Sequence, residues 1–137
     1  MTLIVLLLAP TLALYHFARC EEVGEPADCK KVEVFFVTGR RETEYQGPDP
    51  EFKGKKASDW TLRNLDLAGY GAVAADHLYM RDPASTGLVS EHKVAARTAI
   101  ETLGYTIVAN IGDQESDLVG GHAERTFKVP NPFYFIP

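Results

Sequence analysis

A chain of 137 residues, 45% hydrophobic and 24% charged, falls within the range of one globular domain. Its net charge is −5, and no basic run is longer than Lys30-Lys31, Arg40-Arg41 or Lys55-Lys56. Nucleic acid is excluded as a bulk partner, because binding to a phosphate backbone needs a concentrated positive face. A small phosphorylated molecule is not, since it requires only a local positive site.

The first stretch, "MTLIVLLLAPTLALYHFA", has the apolar core of an export signal. It has no Lys or Arg ahead of that core, no clear small-residue cleavage site, and Pro10 in its middle. The apolar run of about 14 to 18 residues is shorter than the roughly 20 a spanning helix needs, so no stable membrane span is expected. Buried core is the competing reading. Pro10 pushes Ala9 out of the helical region, and Thr11 then caps a helix running to about Glu22, with Leu14, Phe17 and Ala18 inward. Cys20 and Cys29 bracket the polar segment "EEVGEPAD". They form a disulfide if the chain is exported and remain free thiols if it is cytoplasmic, and their spacing fits no zinc pattern.

Next comes "VEVFFVTGRR", whose Val32, Val34, Phe35, Phe36 and Val37 read as a strand buried on both faces, the mark of a parallel sheet. Residues 42–58 form a long polar loop broken by Gly47, Pro48, Pro50 and Gly54. Asp59 is then expected to cap a helix over "WTLRNLDLA", with Leu62, Leu65 and Ala68 on one face and Gly69 as its stop. "HLYMRDP" reads as a short strand. Ser90 is expected to cap "EHKVAARTAIETL", where Ala96, Ala99, Ile100 and Leu103 repeat at helical spacing and Gly104 ends the helix. "YTIVANI" is the second strong strand and "TFKV" a weak third, ahead of the tail "PNPFYFIP". Helices alternating with apolar strands give an α/β, three-layer fold.

In such folds ligands sit beyond the carboxyl ends of the strands. The first strong strand ends in Thr38-Gly39-Arg40, a hydroxyl, a close-approach glycine and a guanidinium. The second ends in Gly112-Asp113, with Asp117 one helical turn further on. Carboxylates are natural ligands for Mg²⁺, and Lys93 in the first turn of a helix supplies a fixed positive charge. Each residue has a plainer role open to it: an Asp after a strand commonly forms a turn, and most lysines are solvated. Their joint order on an alternating scaffold is what favours a site.

The series "VFFVTGR", "HKVAAR" and "GYTIVANIGDQESDLVGGHAERTFKVPNPFYFIP" resembles the haloacid dehalogenase (HAD) superfamily, specifically its class B-like acid phosphatases of subfamily IIIB. Plant vegetative storage proteins are among the relatives. The resemblance covers about Pro10 to Pro137 and implies a Rossmann-like HAD fold with a parallel sheet and a secreted or periplasmic Mg²⁺-dependent phosphomonoesterase, with a cytoplasmic location as the alternative. Carried over by position, Thr38 would hydrogen-bond the transferring phosphoryl group, with Gly39 beside it. Lys93 would neutralise charge on that group and on the nucleophile. Asp113 would be a Mg²⁺ ligand, and Asp117 would support it directly or through water. Arg40 and Arg81 would be substrate or loop contacts. No oligomeric state is implied.

The family's reaction begins at an Asp-x-Asp motif after its first strand, where one Asp attacks phosphorus and the other is acid and base. No two aspartates of this sequence stand at i, i+2. The resemblance therefore divides the chain into a hydrophobic segment 1–9, a degenerate signal or truncation scar, and a partial phosphatase domain 10–137 whose central first strand is missing or replaced. "TLIVLLL" is apolar enough to serve as a surrogate strand. Its leucine content and the absence of a turn after it favour a helix or tail instead. The chain is expected to be inactive as given, and a non-catalytic, storage-like remnant of the fold is the alternative. No G-x-G-x-x-G comes after either strand, which speaks against dinucleotide binding.

Overall fold

The computed structural model describes residues 2–5, 15–16, 19–20 and 32–131. Within them, β1 (Thr2–Val5), β2 (Glu33–Arg41), β3 (Leu78–Arg81), β4 (Ile107–Gly112) and β5 (Thr126–Lys128) form one sheet in the order β3-β2-β1-β4-β5. Every pairing in it is parallel. Helices α1 (Ala57–Leu65), α2 (Val89–Thr102) and the single turn α3 (Glu115–Leu118) lie in the connections. This is the expected α/β arrangement.

The β-branched and aromatic run of β2 is why the sheet has two covered faces. Val34 and Phe36 pack with Tyr15, Leu65, Tyr70 and Ile111 on one side. Phe35 and Val37 pack with Ala96, Ile100 and Ile107 on the other. Successive side chains of a strand point to opposite faces, so a continuous apolar run builds two cores and three layers. Cys20 is disulfide-bonded. Leu14, Phe17, Ala18 and Cys29 lie outside the described residues.

The chain start departs from expectation. Thr2–Val5 is a strand inserted between β2 and β4, with Leu3 opposite Val34 and Ala109, and Ile4 opposite Phe35 and Asn110. A helix or tail would leave the facing N–H and C=O rows of β2 and β4 without partners, and that cost outweighs leucine's helical preference. The missing turn carried no information, because a parallel pair is joined by a crossover and not by a hairpin.

Both helix starts also move. Helix α1 begins at Ala57, so Asp59 is its third residue, and Asp59 Oδ2 accepts the Lys56 N–H at 2.8 Å. It ends at Leu65 and continues as a wide turn over Asp66–Tyr70, where Gly69 takes φ 98°. Leu65 is buried and Leu62 half-buried, but Ala68 is exposed. Helix α2 begins at Val89, leaving Ser90 inside it, and Glu91 Oε2 accepts the Leu88 N–H at 2.8 Å. In both helices a carboxylate at the third position takes the part expected of a side chain at the cap.

The buried stripe of α2 is Lys93, Ala96, Arg97 and Ile100. Ala99 and Leu103, expected inward, are exposed. The helix has turned to bury two charged side chains because both find partners on or beside α3. Replacing Ile100 with Ala is expected to lower stability by about 2–5 kcal/mol, the usual loss for a buried aliphatic side chain. Leu103→Ala should stay within about 0.5 kcal/mol, and urea unfolding of the two variants reads the difference.

Candidate functional site

At the carboxyl end of β4 the chain reverses sharply into α3. Gly112 permits the reversal: a Cβ there would lie 2.1 Å from Asp117 Cβ. Asp117 is the third residue of α3 and its Oδ2 accepts the Gln114 N–H at 2.8 Å, closing the turn. The spacing Gly112, Asp113, Asp117 thus folds a second carboxylate back over the strand end.

Asp117 is 1% exposed. Its Oδ1 is paired with the Lys93 ammonium, which also donates to Ser116 Oγ at 2.9 Å. Its main-chain carbonyl accepts from Arg97 Nη1 at 2.8 Å and Asn110 Nδ2 at 2.7 Å. The second Arg97 nitrogen donates to the Val119 carbonyl. Burial weakens the hold of Arg97 on its proton, while the nearby Asp117 and Glu101 carboxylates oppose that. Helices α2 and α3 and strand β4 therefore meet at one residue.

Asp113 is the other carboxylate. Its Oδ2 accepts from Gln114 Nε2 at 3.0 Å and from Asn131 Nδ2, and its carbonyl accepts from Lys128 at 3.2 Å. Burial pushes its pKa up, but the Gln114 and Asn131 hydrogen bonds and the Lys93 charge outweigh burial and hold it below the ordinary carboxylate value. Asp113 is ionised at neutral pH and feels the Lys93 ammonium. No group of three or more His, Cys, Asp or Glu side chains is gathered for a metal among the described residues.

Thr38, at the end of β2, is half-buried. Its Oγ1 accepts the Arg40 N–H at 3.2 Å, which leaves its own O–H to donate outward. A cleft of about 100 Å³ opens there between β2 and α1, lined by Thr38, Arg40, Thr61, Asn64 and Leu65. Gly39 passes under α2, where a Cβ would come within 2.8 Å of Val89 Cγ1. His92, next to Lys93, bonds the Thr38 carbonyl through Nε2 at 3.1 Å.

Of the residues singled out in the sequence, Lys93, Asp113 and Asp117 thus stand together. Thr38 and Gly39 are tied to the same helix from β2, with β1 lying between that strand and β4. Arg81 is buried and donates to the Gly87 carbonyl, and Arg40 is exposed. Ser116, Gln114, Asn110, Asn131, Arg97 and His92 were not singled out. Only Arg97 had a signal, four residues after Lys93 and so on the same helical face.

The chain is thus a three-layer α/β domain with a lysine and two aspartates at its sheet edge. Residues 22–137 match the family described as HAD superfamily, subfamily IIIB (Acid phosphatase), and the chain belongs to that family. It is 48% identical over 80 residues to a stem 28 kDa glycoprotein of Glycine max, covering 56% of this chain and 31% of that protein. With vegetative storage protein 1 of Arabidopsis thaliana the identity is 39% over 83 residues, 61% of this chain and 30% of the relative. With acid phosphatase 1 of Solanum lycopersicum it is 35% over 105 residues, 75% of this chain and 35% of the relative. The chain thus spans about a third of the length of these curated relatives.

Two outcomes are expected from the charge arrangement. Lys93→Met should cost about 3–5 kcal/mol, because it strands the Asp117 carboxylate in the interior, and Lys93→Met/Asp117→Asn should cost less than the sum of the single changes. Equal costs in a denaturation cycle would mean that the pair is not coupled. Asp113 is held below its unfolded value of about 3.9, so its contribution is complete above that pH and is lost as pH falls through the lower folded value. Asp113→Asn should remove that part of the acid destabilisation curve.

Proposed function

We propose that this chain carries the phosphate-recognising side of a Mg²⁺-dependent acid phosphatase site for small phosphomonoesters, without the groups that attack phosphorus. The observation that carries this reading is a buried lysine held against Asp117 and Ser116, beside an ionised Asp113, at the carboxyl edge of the sheet. Lys93 offers the phosphate a positive charge whose position is fixed before binding, so little reorganisation opposes it. Thr38 donates its hydroxyl proton to a phosphoryl oxygen, and the main chain at Gly39 lets N–H groups approach closely. Asp117 holds Lys93 in place, since both its oxygens are engaged.

Asp113 fits a Mg²⁺ site of the kind that takes one or two protein carboxylates and completes its shell with water and phosphate oxygens. The ion would neutralise charge on the phosphoryl group. The absence of turnover is supported by the sequence itself, in which no two aspartates stand at i, i+2. In this reading Thr2–Val5 stands in for the family's first strand. A secretory route is part of the proposal, supported by glycoprotein relatives and by the disulfide at Cys20. The second reading, a storage-like protein with no ligand, draws on the same missing aspartate pair and on the vegetative storage relatives.

With Mg²⁺ and 4-nitrophenyl phosphate, the chain should release nitrophenol no faster than a Thr38→Ala/Asp113→Asn control. It should bind inorganic phosphate by calorimetry, with affinity reduced about tenfold or more by Thr38→Ala, as expected for a lost bond to a charged group. Turnover well above the control would overturn the claim that the attacking group is missing. No phosphate binding at all would leave the storage-like reading.

A further inference from the structure

The β2–β3 ladder is broken at the proposed phosphate site. Val37 pairs with Tyr79 and Arg41 with Arg81, so three residues, Thr38, Gly39 and Arg40, face Met80 alone. The ladder resumes where the Glu42 N–H meets the Arg81 carbonyl at 2.8 Å. Main-chain groups inside such a gap lose their strand partners and must be satisfied otherwise. The His92 ring, reaching down from the first turn of α2, supplies one of them: its Nε2 bonds the Thr38 carbonyl at 3.1 Å. A carbonyl only accepts, so Nε2 carries the proton. The close approach of Gly39 to Val89 presses the same helix turn onto the same bulge.

We propose that His92 is a positioning residue for the anion site, fixing the Thr38–Gly39–Arg40 bulge so that the Thr38 hydroxyl and the adjacent N–H groups converge on one phosphate. This role rests on the chain binding phosphate at that site. His92 does not touch the ligand; it acts through the Thr38 main chain. Lys93 is the next residue, so one helix turn both shapes the cradle through His92 and charges it through Lys93.

The groups around the ring make the link pH-sensitive. Burial holds the His92 pKa below the ordinary histidine value. The Thr38 main chain pulls it up, Arg81 of β3 and Lys93 of α2 push it down by charge, and the Tyr79 main chain of β3 pulls it up more weakly. The neutral ring is therefore the folded form at neutral pH. The stability it contributes is complete above about 6.5, the unfolded value, and is lost as pH falls through the lower folded value.

The test uses the full chain, ¹³C,¹⁵N-labelled, with inorganic phosphate as probe. The Thr38 carbonyl shift should track the His92 ring titration with the same midpoint. His92→Gln keeps an N–H donor without a titrating proton: it should flatten the Thr38 response and hold phosphate affinity within about threefold of wild type. His92→Ala should shift Thr38 and Gly39 at every pH and weaken phosphate about tenfold, the scale of one lost hydrogen bond. A Thr38 carbonyl indifferent to the His92 titration, or a His92→Gln protein that keeps the wild-type response, overturns the proposal. If wild type binds no phosphate, the functional reading fails, and the Thr38 shift still decides whether His92 fixes the bulge.

Discussion

A lysine ammonium and a carboxylate buried against each other at the sheet edge, at 4% and 1% side-chain exposure, impose the constraint around which this domain is arranged. Either charge alone would be costly to bury, and the pair is tolerable only when the remaining donors and acceptors are also met. Ser116, the Gln114 N–H, Arg97 and Asn110 supply those contacts at Asp117 and Lys93. Meeting them fixes the rotation of α2, the fold of the single turn α3 and the reversal at Gly112. A four-residue helix has almost no stability of its own, so α3 exists because Asp117 is bound from several directions.

The same logic of unmet groups explains the sheet. Strands β2 and β4 are both rich in β-branched or aromatic residues, and each presents a hydrogen-bonding edge to the other across a gap one strand wide. Thr2–Val5 fills it, and the filling is a main-chain matter: any extended apolar segment satisfies those edges. Residues just past the end of such a strand are free to vary, because they carry no ladder bonds.

Much of this was legible in the residues. Apolar runs gave all of β2, β3, β4 and β5 to within a few positions, and Gly104 marked the end of α2, whereas α1 stops at Leu65, four residues before Gly69. The α2 face was misread because hydrophobic periodicity sees Ala99 and Leu103 and is blind to buried charge. Lys93 and Arg97 repeat at the same spacing, and their partners sit some 20 residues on, at Asp117. Caps were misassigned for a related reason, since Asp59 and Glu91 act from the third helical position and not from the cap. The β1 strand was judged by composition when its fate depended on two edges far away in sequence. In each case the deciding interaction was polar and outside the local apolar pattern, and for β1 and α2 it was also long-range.

The parts of the proposed site differ in how firmly they are tied to folding. Lys93 and Asp117 are a buried pair that joins three elements, so losing either costs stability whether or not a ligand is ever bound. Thr38 and Gly39 sit in a bulge held by His92 and pressed by Val89, and Gly112 is demanded by Asp117. The recognising side of the site is built from the same contacts that hold the helices on the sheet. Lys93, Asp117, Gly39 and Gly112 are thus held in place by the packing of helices on the sheet, whatever the edge binds.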